Sequence, residues 1–291
     1  MANLKEIRNR ISSVKSTRQI TNAMKMVSAA KLRKAQNTIT QLRPYANKLN
    51  EILGRLGDVK GESAENIYAV ERTEKRVLLV AISSNRGLCG PFNANVVKKV
   101  IELTKEQYAE QYKKGNVSIY TIGSKCGQIL HAKGFKIDAN FNKLYNDLTF
   151  NNIAETAGKL MDLFTNKKFD KIEFIYNRFK NAAVQILTQE QFLPVKHTEN
   201  NSENNNDYIF EPSQQYIFDT LIPDSLKTQL FAAISDSYAA EQGARMTAMH
   251  QATDNAGEMI RSLTLSYNKA RQAAITKEIL EITAGAEALK G

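Results

Sequence analysis

Residues 5–36 have the sequence KEIRNRISSVKSTRQITNAMKMVSAAKLRKAQ, which contains neither Gly nor Pro. Apolar side chains recur here at steps of three and four, the heptad spacing of a helix that packs against another helix. The stretch therefore predicts a long helix with a partner helix. The predicted seam begins at Leu4, Ile7, Ile11 and Val14 and, after a slip in register near Val14, follows Thr17, Ile20, Met24 and Val27.

The other end of the chain has the same character. No Pro follows Pro223, and only Gly243, Gly257 and Gly285 interrupt the chain before its last residue. We predict one helix over 1–57, bent at Pro44, and another over 212–286, each several times longer than the average helix of about 11 residues. Helices of this length are typical of coiled coils, so we expect the two to form a long antiparallel coiled coil.

The middle of the chain alternates strand and helix patterns. The run RVLLVAIS at 76–83 is typical of a strand that is buried on both faces. Further strands are predicted at 117–123, 170–179 and 182–195, and helices at 93–115, 124–134 and 152–166. Alternation of this kind indicates a largely parallel sheet with helices on its faces. The fold class is therefore α/β, with a central Rossmann-like domain over 76–198 and a polar, exposed Asn-rich loop at 199–207.

The positive charge of the chain is concentrated at its start. Residues 1–48 hold eleven Lys or Arg against the single acid Glu6, which accounts for the whole net charge of +10. Such a basic helix attracts an acidic partner: nucleic acid, an anionic membrane surface or an acidic protein. Only one aromatic residue, Tyr45, lies among these 48 residues, which weakens the alternative of a nucleic-acid-binding coiled coil without removing it. No apolar stretch approaches the roughly 20 residues of a membrane span, and the start has no apolar signal segment.

Candidate catalytic motifs are weak. The turn SSNRGLCG at 83–90 follows a strand but lacks the Lys and hydroxyl pattern of a phosphate-binding loop. Cys89 and Cys126 have no metal-binding spacing, and the three His residues are isolated. We expect no catalytic residue, no metal and no cofactor, although a nucleotide-binding enzyme that uses the SNRGLCG turn remains a third interpretation.

Three segments closely resemble the gamma subunit of F-type ATP synthases: residues 5–36, residues 83–96 and residues 244–282, the last with the sequence ARMTAMHQATDNAGEMIRSLTLSYNKARQAAITKEILEI. The resemblance implies a non-catalytic rotor shaft of a proton-transporting two-sector ATPase. In that family the shaft stands inside a hexameric ring of alternating alpha and beta subunits, and its globular domain contacts the epsilon subunit and the c-ring of the membrane sector. Proton flow turns the shaft, which drives ATP synthesis in the ring.

The resemblance also implies contact residues. Arg271, Gln272, Thr276 and Glu278 match positions that contact the beta subunit, as does Met24 on the first helix. Tyr208 and Glu211 match the region that rests on the c-ring beside the epsilon subunit. The apolar end of the last helix would turn in a smooth apolar bearing. The implied location is the cytoplasmic face of a bacterial inner membrane, as a peripheral subunit, with no nucleic acid as partner.

Overall fold

The structure, a computed structural model, describes residues 4–57, 67–195 and 214–288. Its first and last elements are helix α1 (Leu4–Gly57, 54 residues) and helix α6 (Gln214–Ala288, 75 residues), so both predicted long helices are present. Each contains a Pro, Pro44 in α1 and Pro223 in α6, and continues through it. The chain divides into two compact units: residues up to Ser28 with residues from Met246 onward, and residues 29–245.

The second unit is built on a five-stranded sheet. Its strands are β1 (Val77–Ile82), β2 (Val117–Ile122), β3 (Ala139–Asn140), β4 (Lys171–Phe179) and β5 (Gln185–Leu193), in the spatial order β3-β2-β1-β4-β5. The pairs β1–β2, β1–β4 and β2–β3 are parallel, and only β4–β5 is antiparallel. The expectation of a largely parallel sheet is confirmed.

Helices cover both faces of this sheet. On one face, α2 (Phe92–Lys105) and α4 (Ser124–Ala132) pack with the side chains of Val77, Leu79 and Ala81. On the other face, α5 (Phe150–Thr165) and the first part of α6 pack with Leu78, Val80 and Ile82. Strand β1 is therefore buried along its whole length, as its continuous apolar run predicts.

Three details differ from the sequence-based expectation. The predicted helix 93–115 is two helices, α2 and α3 (Ala109–Lys113), because the chain turns between them to bury Tyr108, whose ring lies 5.6 Å from the Lys171 ammonium. Strand β5 begins at Gln185 rather than at 182, because the chain turns before it. The Asn181 side-chain oxygen accepts hydrogen bonds from the backbone N–H groups of Ala183 and Val184 in this turn. The two-residue strand β3 was not predicted, since it has no apolar run to signal it.

In the first unit, α1 and α6 run antiparallel. The Arg8 guanidinium donates a hydrogen bond of 2.6 Å to the Tyr267 hydroxyl and lies over its ring. Further along, the hydroxyl oxygens of Thr21 and Thr253 are 2.8 Å apart. Residue numbers rise along α1 as they fall along α6, which confirms the predicted antiparallel pairing.

The predicted slip in the α1 seam is wrong. The less exposed positions continue at strict steps of seven, half-buried at Ile7 and Val14 and buried at Thr21 and Ser28, whereas Ile20 and Val27 are 61% and 55% exposed. Small polar residues occupy the seam in its middle, so a search for apolar residues alone misplaces it. Two bulky apolar side chains are left on the outer surface.

Candidate functional site

Helix α6 continues beyond the point where α1 begins. Tyr267 lies opposite Arg8, so in this antiparallel register Arg271, one turn further, falls opposite Leu4, the first described residue of α1. Every residue from Ile275 to Ala288 is exposed. The end of α6 is thus a helix without a helical partner among the described residues, and we call residues 271–288 the α6 end segment.

The four predicted beta-contact residues of α6 all lie at the start of this segment and are exposed: Arg271, Gln272, Thr276 and Glu278. Because a helix turns every 3.6 residues, Arg271 and Glu278 share one side of the helix, and Gln272 and Thr276 share another. Within the described parts of the chain, none of these four side chains has a hydrogen-bond or ion-pair partner. They present a guanidinium, a carboxylate, an amide and a hydroxyl on the surface of the helix.

The same segment exposes bulky apolar side chains. Ile275, Ile279, Leu280 and Ile282 are between 47% and 71% exposed. They are interspersed with polar groups, among them the exposed ion pair of Lys277 with Glu281 (3.5 Å). Clusters of exposed large apolar residues are typical of surfaces that another protein covers.

The remaining predicted site residues have different settings. Met24 is half-buried on α1, in the same unit as the α6 end segment. Ile20, Met26 and Val27, which sequence reasoning did not place on the surface, are exposed on that helix. Extending the heptad by sevens from Ile7 would have placed Ile20 and Val27 outside the seam. Tyr208 and Glu211 lie outside the described residues.

A basic groove also lies on the first unit, between α1 and α6. Lys15, Arg18 and Lys25 line it from α1, and Asp254 is its only acid. Asp254 also lies 3.3 Å from the His250 ring nitrogen on its own helix. Cations that outnumber acids in this way favour an acidic partner.

The SNRGLCG turn has a structural setting that bears on nucleotide binding. In doubly wound sheets, ligands bind in a crevice at the carboxyl ends of the strands where the strand order reverses, here between β1 and β4. The turn that leaves β1 at this end of the sheet is contacted by Arg245 of α6, which donates hydrogen bonds to the carbonyl oxygens of Arg86 and Gly87 (3.1 and 3.3 Å) and pairs with Glu241 at 2.6 Å. Both side chains of this pair are less than 10% exposed. The turn therefore anchors α6.

Burial governs the ionisable groups nearby. It raises the pKa of the Glu241 carboxyl, and the charge of Arg245 opposes that rise. It also raises the pKa of the Cys89 thiol, and that of Cys126 to about 12, so both free thiols stay protonated near neutral pH. Among the described residues, no group of three or more His, Cys, Asp or Glu is placed to hold a metal ion. In the same ranges, no helix has an apolar stretch long enough to cross a bilayer.

Comparison with known proteins identifies the family. The model of the family described as ATP synthase matches residues 3–289. The ATP synthase gamma chain of Christiangramia forsetii is 55% identical over 291 residues, covering 100% of both chains. That of Chlorobium limicola is 44% identical over 290 residues, again with 100% coverage of both.

This chain belongs to the ATP synthase gamma chain family. The resemblance inferred from the sequence is confirmed. The fold agrees with solved structures at low identity: a chain of the Euglena gracilis mitochondrial ATP synthase, from its OSCP/F1/c-ring structure in rotational state 3, has a TM-score of 0.71 at 20% identity, covering 98% of this chain and 94% of that one. A chain of the Tetrahymena thermophila central stalk and c-ring structure has a TM-score of 0.58 at 23% identity, covering 80% of this chain and 99% of that one. As a gamma chain, it is part of an ATP synthase complex.

Proposed function

We propose that this chain is the central rotor shaft of an F-type ATP synthase, coupling proton flow through the membrane c-ring to ATP synthesis or hydrolysis in the ring of alpha and beta subunits. The observation that carries the proposal is the α6 end segment, which has no helical partner among the described residues. It exposes Arg271, Gln272, Thr276 and Glu278 beside bulky apolar side chains. A helix end with this surface suits contact with surrounding subunits.

The shaft acts by differential contact. A partner shifts a conformational equilibrium only if it interacts differently with the two states. A shaft whose sides carry different groups shifts the conformational equilibrium of each beta subunit as it turns, because each beta subunit contacts a different side of the shaft at each angle. On this proposal, the basic groove of α1 and the exposed Ile20 and Val27 add to the asymmetry, and Met24 adds a further contact with the beta subunit.

The chain has no catalytic site of its own in this proposal. The contacts of Arg245 support this, because the turn after β1, where a doubly wound sheet would contact a nucleotide, is instead bonded to the chain's own helix. ATP chemistry then belongs to the alpha and beta subunits. The other proposed partners are the epsilon subunit and the c-ring, contacted through Tyr208 and Glu211. The proposed location is the cytoplasmic face of the bacterial inner membrane, with nucleic acid excluded as a partner.

The test is ATP hydrolysis by purified cognate alpha and beta subunits with and without this chain, with assembly followed by gel filtration. We expect a joint complex with strongly increased turnover. The double variant Arg271→Ala with Gln272→Ala should assemble but lose much of the increase. The matched control, Arg261→Ala with Gln251→Ala, removes an exposed Arg and Gln from the same helix and should retain it. Failure of the folded chain to co-elute or to change turnover would overturn the proposal.

A further inference from the structure

Exposed cations line one edge of the sheet in the second unit. Because β1, β2, β3 and β4 are parallel, the four loops that enter them, 71–76, 113–116, 133–138 and 166–170, meet at the same edge. Each loop carries two exposed basic residues, which we call the amino-edge cations: Lys75, Arg76, Lys113, Lys114, Lys133, Lys136, Lys167 and Lys168. The net charge of the chain gives no sign of this, since outside residues 1–48 acids and bases balance.

The acids within these loops are mostly engaged. The Glu74 carboxylate lies 2.8 Å from the Lys171 ammonium, and Asp170 is buried, accepting a hydrogen bond from the Arg76 backbone N–H. Asp138 lies 3.5 Å from Lys136. Within the described residues, the ammonium groups of Lys113, Lys133 and Lys168 have no partner. The edge therefore presents a surplus of positive charge to its surroundings.

The strand order β3-β2-β1-β4 places the loops that carry these cations side by side. The Val77 backbone N–H donates to the Asn116 carbonyl at 3.0 Å, and the Asp170 backbone N–H donates to the Arg76 carbonyl at 2.8 Å, so neighbouring loops are tied together. With strands about 4.8 Å apart, the row from β3 to β4 spans roughly 15 Å. A row of this length matches an extended anionic surface rather than a single small ion.

The residue types at this edge favour a membrane. Seven of the eight amino-edge cations are Lys, a flexible point charge suited to diffuse attraction by anionic headgroups, whereas Arg forks are favoured for specific phosphate and base contacts. The ring of Tyr112 is 40% exposed and packs on Phe135, between two of the loops, at 5.8 Å between centroids. Aromatic residues of this kind are enriched at membrane interfaces.

We propose that the amino-edge cations form a docking surface for the anionic lipid headgroups of a membrane. The surface would hold the sheet domain close to the bilayer without inserting into it. This proposal rests on the proposed function in one respect, the choice of a membrane rather than another polyanion, because an ATP synthase subunit lies close to a membrane. It involves neither the α6 end segment nor the groove of α1.

The test compares binding of the full chain to vesicles of phosphatidylcholine mixed with phosphatidylglycerol and to vesicles of phosphatidylcholine alone. The amino-edge variant carries Lys113→Gln, Lys133→Gln and Lys168→Gln. The matched control carries Lys98→Gln, Lys143→Gln and Lys180→Gln, three exposed lysines of the same unit away from this edge, so the two variants lose equal charge. Thermal melts should show that both variants fold like the unmodified chain.

We expect salt-sensitive binding to the mixed vesicles only, weakened about tenfold or more in the amino-edge variant and little changed in the control. Equal losses in the two variants, or no loss in either, would overturn the proposal by assigning binding to total charge or to α1. A larger loss of duplex DNA binding than of vesicle binding in the amino-edge variant would overturn the choice of lipid. The hydrolysis assay with alpha and beta subunits is read separately, so failure of one proposal is distinguishable from failure of the other.

Discussion

Thr21 on α1 and Thr253 on α6 join the two terminal helices through hydroxyl oxygens 2.8 Å apart. Each hydroxyl has only one proton to donate. The Thr253 hydroxyl oxygen lies 2.7 Å from the Met249 carbonyl oxygen of its own helix, whereas the Thr21 hydroxyl oxygen lies 3.0 Å from the Arg18 carbonyl oxygen. Thr253 therefore donates within α6 and accepts from Thr21. A polar contact at the middle of the seam fixes the register where few apolar side chains are available to do so.

We predict that this pair stabilises the helix pairing. In a double-mutant cycle with Thr21→Val and Thr253→Val, which preserve side-chain shape, the coupling free energy should be about 0.5–1.5 kcal/mol. It is obtained from the free energies of unfolding of the four proteins, by urea titration followed by circular dichroism. A coupling indistinguishable from zero would mean that the two hydroxyls do not bond in solution.

Two glycines of α6 should respond oppositely to alanine. A Cβ at Gly257 would lie 4.0 Å from the Arg18 side chain, an ordinary contact, whereas a Cβ at Gly243 would lie 3.2 Å from backbone atoms of Ala182. Alanine favours a helix by up to about 1 kcal/mol over glycine, so Gly257→Ala should be stabilising. At Gly243 crowding against backbone should exceed that gain, for a net loss of about 1 kcal/mol or more. Melting temperatures that rise for both variants would contradict the close approach of α6 to the 180–184 turn.

The sequence predicts the elements whose residues carry a continuous pattern. The apolar run at β1 and the absence of Pro and Gly from 5–36 are signals of this kind, and both predictions are confirmed. The seam of α1 was misplaced because Thr21 and Ser28 do not count as apolar, although they are 9% and 2% exposed. The break after α2 depends on the burial of Tyr108 against another element, which no local pattern contains.

Within the candidate site too, the sequence predicts residues that belong to a local motif but not those whose role depends on contacts with distant parts of the chain. The family motif predicts Arg271 and Gln272 as site residues. The structure adds that α6 extends beyond the start of α1 at these positions. The role of Arg245 depends on residues some 160 positions earlier in the chain, whose carbonyl oxygens it contacts. The amino-edge cations come from four separated loops, so only the parallel strand order brings them together.

Removal of Arg245 should make stability depend on pH. Burial raises the pKa of Glu241 in the folded chain. A carboxyl whose pKa is higher in the folded chain than in the unfolded chain binds a proton more tightly when the chain folds. The stability it contributes is therefore lost as pH rises from its unfolded-state pKa through its folded-state pKa. Arg245 opposes this rise. In Arg245→Met the rise is larger, so we expect a loss of about 3–5 kcal/mol at about pH 8 and a smaller loss at about pH 5.

The matched control for this prediction is the double variant Arg245→Met with Glu241→Gln. It removes the titrating carboxyl, so its stability relative to the unmodified chain should vary less with pH than that of Arg245→Met. Urea titrations at several pH values measure both variants. A deficit for Arg245→Met that is the same at every pH would show that Glu241 does not titrate in the folded chain, and that the loss comes only from the freed carbonyl oxygens of Arg86 and Gly87.

The apolar side chains of the α6 end segment should affect ATP turnover in complexes with alpha and beta subunits without affecting the stability of the isolated chain. Ile279 and Ile282 are exposed, so changing both to Ser should alter the free energy of unfolding by no more than about 0.5 kcal/mol. The buried Ile39 provides the contrast, since Ile39→Ser should cost roughly 2–5 kcal/mol. In complexes with alpha and beta subunits, the Ile279 and Ile282 variant should drive less ATP turnover, because it loses apolar contact only where another subunit covers it. Unchanged turnover with unchanged stability would show that no partner covers this end of α6, and the shaft would then act through its polar contacts alone.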